Sequence, residues 1–295
     1  MTASTSSGFV IEDTVDGRDL VVTGDWSVAA GTALLNGAAD GLVLNYARGY
    51  RERSLDFLQD AWPVRRLSIL ARTIKDLSPL YMLANTLEAI NVDTSPQAVL
   101  DLRKLPLLVS LGADWRQVRE SIGVAANLRR LFLMRYREPD LRDLGEHNSL
   151  ESLVMKEHPQ LASLNGIDQF PALTELGIFG AGGLRDISNL ADAVTGSRLQ
   201  KLQLQACPVE RLDAVAEVNA LQFLNVSECG DIQSLHPLSA LRELRYLLLY
   251  GTTRVLDGDL TPLTLLPRLK ELRIKSRREY RPPVREVYES LGQNF

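Results

Sequence analysis

Apolar residues recur along this chain in a fixed local phrase. Leucine-like residues in the form Lxx(L/I)x(L/V/I) are followed by a less regular stretch that closes on further leucines, often as DLSPLxxL. The clearest copies begin at Val64, Leu128, Leu150, Leu199, Leu221 and Leu244, and weaker ones at Ala39, Leu87, Leu108, Leu173 and Leu269. Successive starts are 20 to 26 residues apart, a spacing that marks a stacked repeat array. Each LxL segment predicts a short strand whose alternate side chains turn inward, while the later leucines return along the other side to close the same core. One unit cannot bury its own apolar face, but eleven stacked units can.

The ends of the chain break the pattern. FVIED and DLVVTG flank a VDGR turn signal and predict a hairpin, after which Ser27 is placed to cap a short helix running to about Leu35. At the other end Pro282 and Pro283 precede VREVYESLGQNF, in which Val284, Val287, Tyr288 and Leu291 share one helical face. The expected organisation is a tail and cap over residues 1–38, a solenoid over 39–280 and a capping helix over 281–295. Only TASTSS, residues 2–7, reads as disordered.

The units resemble those of leucine-rich-repeat proteins over roughly residues 39 to 280, and the DLSPL and SLHPLSAL turns are similar to short repeats of the internalin and phosphatase-regulator type. The resemblance implies an α/β solenoid, a leucine-rich-repeat horseshoe with a parallel concave sheet. Where many members carry an Asn that hydrogen-bonds the turn, this chain has Arg72, Ser95, Arg116, Tyr136, His158, Ala181, Cys207, Cys229, Thr252 and Arg277.

Composition narrows the function classes. Hydrophobic residues at 45% with charged residues at 24% argue for a buried core and against disorder. A net charge of −4 supplies no global attraction to nucleic acid or an anionic membrane. Neither a signal-like opening nor an apolar run of membrane-spanning length is read in the sequence, so a cytoplasmic protein is expected.

Candidate chemistry is sparse. His147, His158 and His236 are read as structural residues, and no metal or cofactor is expected. Cys207 and Cys229 occupy the same place in successive repeats and are read as packing residues rather than as a redox pair or nucleophile. The cluster at Gly177, Gly180, Gly182 and Gly183 lacks a phosphate-loop ending. Asp93 and Asp114 are expected in one column on neighbouring strands, roughly 5 Å apart by strand spacing. The expected role for them is an acidic docking spot; the alternative is a hydrolase or sugar-acting enzyme using the paired carboxylates.

No catalytic residues are assigned, and the functional expectation rests on the outward positions of the strands. These carry Phe132, Met134, Phe179, Phe223, Tyr246, Leu248 and Tyr250, with Trp115 just past its strand. Large apolar groups at rigid exposed positions are the usual anchors of protein interfaces, although aromatic residues also favour strands for packing alone. The expectation is a non-catalytic scaffold, regulator or inhibitor that binds another protein through this face, with Asp93 and Asp114 contributing toward the first half. Eight Lys or Arg between Arg268 and Arg285 offer an alternative contact for nucleic acid or an acidic partner; without interleaved aromatics beyond Tyr280, nucleic acid is the weaker reading.

Overall fold

Thirteen of the strands run in chain order as the repeat phrase requires, in a computed structural model that describes residues 8–59, 62–192 and 194–292. TASTSS lies outside these. The chain divides into two compact units, Met1–Leu131 and Phe132–Phe295.

In the first unit β1 (Phe9–Thr14) and β2 (Gly17–Val22) form the antiparallel hairpin, and β2 then pairs in parallel with β3 (Gly41–Asn45). β4 (Arg66–Leu70), β5 (Ala89–Asp93) and β6 (Ser110–Asp114) continue in parallel. One residue per strand faces inward in the same register, giving the column Ile11, Leu20, Leu42, Leu67, Ile90 and Leu111. From Leu20 onward every member is at most 3% exposed. Between β2 and β3, α1 (Val28–Leu35) starts where Ser27 accepts a hydrogen bond from the Ala30 N–H. Behind it Trp26 stacks on Phe57 with centroids 4.2 Å apart, and Gly31 leaves room for Trp62, whose ring a Cβ there would approach to 3.1 Å. After β6, α2 (Trp115–Val118) follows without a break. β7 (Arg130–Met134) spans the division between the units.

In the second unit β8 (Ser152–Lys156), β9 (Glu175–Ile178), β10 (Lys201–Gln203) and β11 (Phe223–Asn225) pair in parallel. β13 (Tyr246–Leu249) and β15 (Glu271–Ile274) complete that sheet, and β12 (Asp231–Ile232) and β14 (Arg254–Val255) form a two-stranded sheet of their own. The returns are short helical turns, including α3 (Asn189–Asp192) and α4 (Thr261–Thr264). α5 (Val284–Ser290) buries Val284 and Val287, and Tyr288 donates through its hydroxyl to the Leu272 carbonyl at 2.6 Å. These are the features of the leucine-rich-repeat solenoid.

A second regularity sets the direction of each strand exit. Two residues beyond the last inward side chain, the backbone turns left-handed at Arg135, Glu157, Gly180, Ala206, Glu228 and Gly251, with φ between 55° and 76°. At Arg135, Gly180, Ala206 and Glu228 the N–H then donates to a carbonyl of the next repeat, so the turn stays within the backbone ladder.

Candidate functional site

Strand parity gives the sheet of the second unit two faces. Leu153, Leu176, Leu202, Leu224 and Leu247 are fully buried, and their neighbours in sequence point outward. One outward row, in register, is Ser152, Glu175, Lys201, Phe223, Tyr246 and Glu271.

This row is a connected chain of polar and aromatic contacts. Ser152 donates to Glu175 at 3.1 Å, Glu175 pairs with Lys201 at 2.7 Å, and the Lys201 ammonium sits 5.6 Å from the centre of the Phe223 ring. Phe223 and Tyr246 are lateral neighbours, their centroids 6.0 Å apart and their planes inclined by 34°. A ring face carries negative quadrupole charge, so a lysine above it and a tilted second ring are both favourable. Farther along the strands, the Lys156 ammonium lies 4.8 Å from the Phe179 ring centre. Phe179 leans back over Gly177, where a Cβ would come within 3.0 Å of its ring. Leu248 is half-buried, while Tyr246 and Tyr250 are 37% and 40% exposed. Phe132 and Phe179 are also half-buried.

Three residues expected to be exposed on or just beside the outward face are buried. Asp114 is 3% exposed because its carboxylate caps α2: it accepts from the Arg116 N–H at 2.8 Å, and the Gln117 side chain closes a capping box with the Asp114 backbone. Trp115 opens that helix and is 2% exposed, and Met134, at the end of its strand before the left-handed Arg135, is 7% exposed. Asp114 and Met134 are the last residues of β6 and β7 and Trp115 the first beyond β6, so all three lie where the chain leaves its strand and turns.

The two carboxylates read as a pair in the sequence are engaged separately. Asp93 accepts from Arg72 at 3.2 and 3.3 Å, and Asp114 is committed to its helix. Each carboxylate has a different structural partner.

The remaining nucleophiles and bases are built into turns. His147 is buried with Nε2 3.0 Å from the Leu144 carbonyl oxygen, and its ring stacks near Phe170. His236 begins a helical turn, and His158 sits in left-handed backbone. Cys229 directs its thiol to the Leu204 carbonyl at 3.0 Å and Cys207 to the Ile178 carbonyl at 3.5 Å. Burial pushes the Cys229 thiol up to about 12 and the Cys207 thiol up to about 11, which favours the neutral thiol in both. The next member of this column is Thr253, not Thr252: its hydroxyl donates to the Val226 carbonyl at 2.7 Å. Among the described residues no group of three His, Cys, Asp or Glu is arranged to hold a metal ion.

The basic segment is largely spent on the protein itself. Arg268 pairs with Glu243, Arg273 with Glu271 and Arg285 with Glu289, while Arg277 and Arg281 donate to backbone carbonyls. Five of its eight cations are engaged in this way. No helix among the described residues is long and apolar enough to cross a membrane.

The two lysines over phenylalanine rings were missed by reading single strands. Their signal lies between repeats, since each lysine stands one repeat before its ring in the same row: Lys156 before Phe179 and Lys201 before Phe223.

No protein-family profile matches the sequence, and no curated protein matches it. Solved structures match its fold. An internalin (inlF) from Listeria monocytogenes superposes with a TM-score of 0.64 at 19% identity, covering 87% of this chain and 73% of the internalin. TLR13, solved in a complex with ssRNA13, gives a TM-score of 0.51 at 16% identity and covers 81% of this chain and 41% of TLR13. These likenesses establish the leucine-rich-repeat fold.

Proposed function

We propose that the chain is a non-catalytic protein-binding module whose partner lies across the outward sheet face of the second unit, anchored by Phe179, Phe223, Tyr246, Leu248 and Tyr250, with Phe132 beside them. The observation that carries this reading is the row from Glu175 through Lys201 and Phe223 to Tyr246, which keeps aromatic surface accessible on a rigid sheet. A partner that buries those rings gains apolar area without ordering the site first. In this reading the hairpin with α1 and the helix α5 serve as caps, over 1–38 and 281–295, on a solenoid of 39–280. The paired thiols, free and buried, suit the cytoplasm.

A protein partner is favoured over nucleic acid, although TLR13 was solved with an RNA. Cations drive nucleic-acid affinity, and those of the basic segment are mostly engaged internally.

The test is affinity capture from the native cell with the wild-type chain and with Tyr246→Ala/Tyr250→Ala, read by mass spectrometry, alongside filter binding of single-stranded RNA. A protein recovered by the wild type and lost with the double variant supports the reading. Equal recovery by both, or RNA binding that survives physiological salt, overturns it.

A further inference from the structure

The outward face of the second unit carries charges that its own residues leave partly unanswered. Its strands and their first residues beyond present four cations, Lys156, Lys201, Arg273 and Lys275, against two carboxylates, Glu175 and Glu271. Both carboxylates are used within the face, Glu175 by Lys201 at 2.7 Å and Glu271 by Arg273 at 2.6 Å. Lys156 and Lys275 remain, both exposed and neither paired with a carboxylate among the described residues. The acids just past the strands are held elsewhere, Glu157 by Arg135 and Glu228 by the Thr252 N–H at 3.0 Å. A chain of net charge −4 thus turns a cationic surface outward here.

The two lysines stand in one row and frame the apolar anchors. Lys156 ends β8 beside Phe179, its ammonium 4.8 Å from the ring centre. At the far end Lys275, one residue past β15, is next in register to Tyr250, one past β13, because Leu249 faces Ile274. Midway along the row Gln205 accepts from Asn225 at 3.4 Å, which leaves its amide nitrogen available to a main-chain carbonyl. Five strand spacings separate β8 from β15. The two lysine positions therefore stand roughly 24 Å apart, the span of about seven residues of extended chain.

We propose that the partner contacts this face through an extended segment with acidic ends. Its apolar or aromatic side chains lie over Phe179, Leu248 and Tyr250, one carboxylate meets Lys156, and a second, about seven residues along, meets Lys275. This deepens the protein-binding reading of the face and rests on it. A nucleic acid is the poorer match, because its phosphates recur at every nucleotide and call for a continuous cationic groove. The floor between these lysines is amide and aromatic instead, and two separated point charges suit two side chains.

Fluorescence anisotropy of the full chain with labelled peptide pools tests this. Each pool is eight residues long, with Leu, Phe, Ser and Gly mixed at the inner positions and both ends fixed as Glu, Ser or Lys. The Glu-ended pool should bind, and the Ser-ended pool about tenfold more weakly. Lys156→Gln and Lys275→Gln should each weaken the Glu-ended pool about threefold, the size expected of an exposed ion pair, and together should remove its dependence on salt. Lys156→Glu/Lys275→Glu should transfer the preference to the Lys-ended pool, a reversal that no loss of fold produces. Equal binding of the Glu-ended and Ser-ended pools, binding of no pool, or tighter binding of oligouridylate than of the Glu-ended pool would overturn the proposal. Tyr246→Ala/Tyr250→Ala separates the two readings. If all pools bind alike and are lost with these tyrosines, the charge rule fails and the binding face stands; if the Glu-ended pool is retained in full by the tyrosine variant, the face itself fails and the proposal with it.

Discussion

Arg66 holds Asp40 with both of its terminal nitrogens, at 2.8 and 2.9 Å, alongside the bare α-carbon of Gly41. The same guanidinium donates to Asp19 at 2.9 Å and to the carbonyls of Asp16 and Arg18. A Cβ on Gly41 would stand 1.9 Å from the Asp19 carboxylate and 3.0 Å from the guanidinium, so only glycine leaves the passage open. One side chain from β4 thereby anchors the hairpin tip to the repeats.

Arg66→Met should lower unfolding stability by about 2 kcal/mol, since it strands two carboxylates and two carbonyls while their partial exposure limits the loss. The Arg66 hydrogen bonds hold the Asp40 carboxyl below the ordinary carboxylate range. A depressed folded value contributes stability that is complete above the unfolded value and lost as pH falls through the folded one. Urea unfolding should thus show a constant wild-type advantage above about pH 5 that narrows below about pH 4, near the unfolded Asp value of about 3.9. An advantage unchanged at acid pH would contradict the assignment.

Much of this fold is legible in the residues themselves, because the LxL phrase fixes both strand position and facing. Ser27, the hairpin turn and Phe223 beside Tyr246 follow from spacing alone. The misreadings cluster where strands end. Asp114 to Gln117 reads DWRQ, a capping-box pattern with an acidic first member, yet the outward parity of Ser110 and Gly112 carries the eye past it. Thr253 is displaced from Thr252 because the strand exit at Gly251 consumes an extra residue before the ladder position. The Arg66 anchor joins residues 26 and 47 positions apart, and no local pattern marks it.

Cys207 and Cys229 should resist alkylation and thiol–disulfide exchange in the folded protein at pH 8, then react fully in urea. Their raised values, about 11 and about 12, mean that the neutral thiol is the folded form. A raised folded value contributes stability that is present below the unfolded value and lost as pH rises through the folded one, so the thiols add alkaline sensitivity above about pH 9. Labelling by a chromogenic disulfide reagent distinguishes the cases. Rapid reaction of either thiol in the native state would show that the column opens locally.

The left-handed strand exits predict opposite effects of exchanging Gly and Ala. A Cβ on Gly180 meets nothing closer than His158 Nδ1 at 3.4 Å, so Gly180→Ala should cost about 1–2 kcal/mol from backbone strain alone. Ala206 already bears that strain at φ 55°. Ala206→Gly relieves it at the expense of unfolded-chain entropy and should range from neutral to about 1 kcal/mol stabilising. Denaturant midpoints of the two variants moving in the same direction would refute a strain-dominated exit.

Tyr246 and Leu247 are adjacent in sequence and opposite in role, which separates packing from recognition. Leu247 is fully buried, and Leu247→Ala should cost about 2–5 kcal/mol. Tyr246 touches Phe223 only across the outward face, where such a pair is worth roughly 0.2–1 kcal/mol. A double-mutant cycle of Tyr246→Ala with Phe223→Ala should therefore return a coupling within that range, and Tyr246→Ala should leave the denaturant midpoint close to wild type. If removing Tyr246 instead costs as much stability as removing Leu247, the ring is a structural part of the sheet, and the outward row loses its claim to be a binding surface. A small stability cost together with loss of the captured partner assigns the ring to recognition.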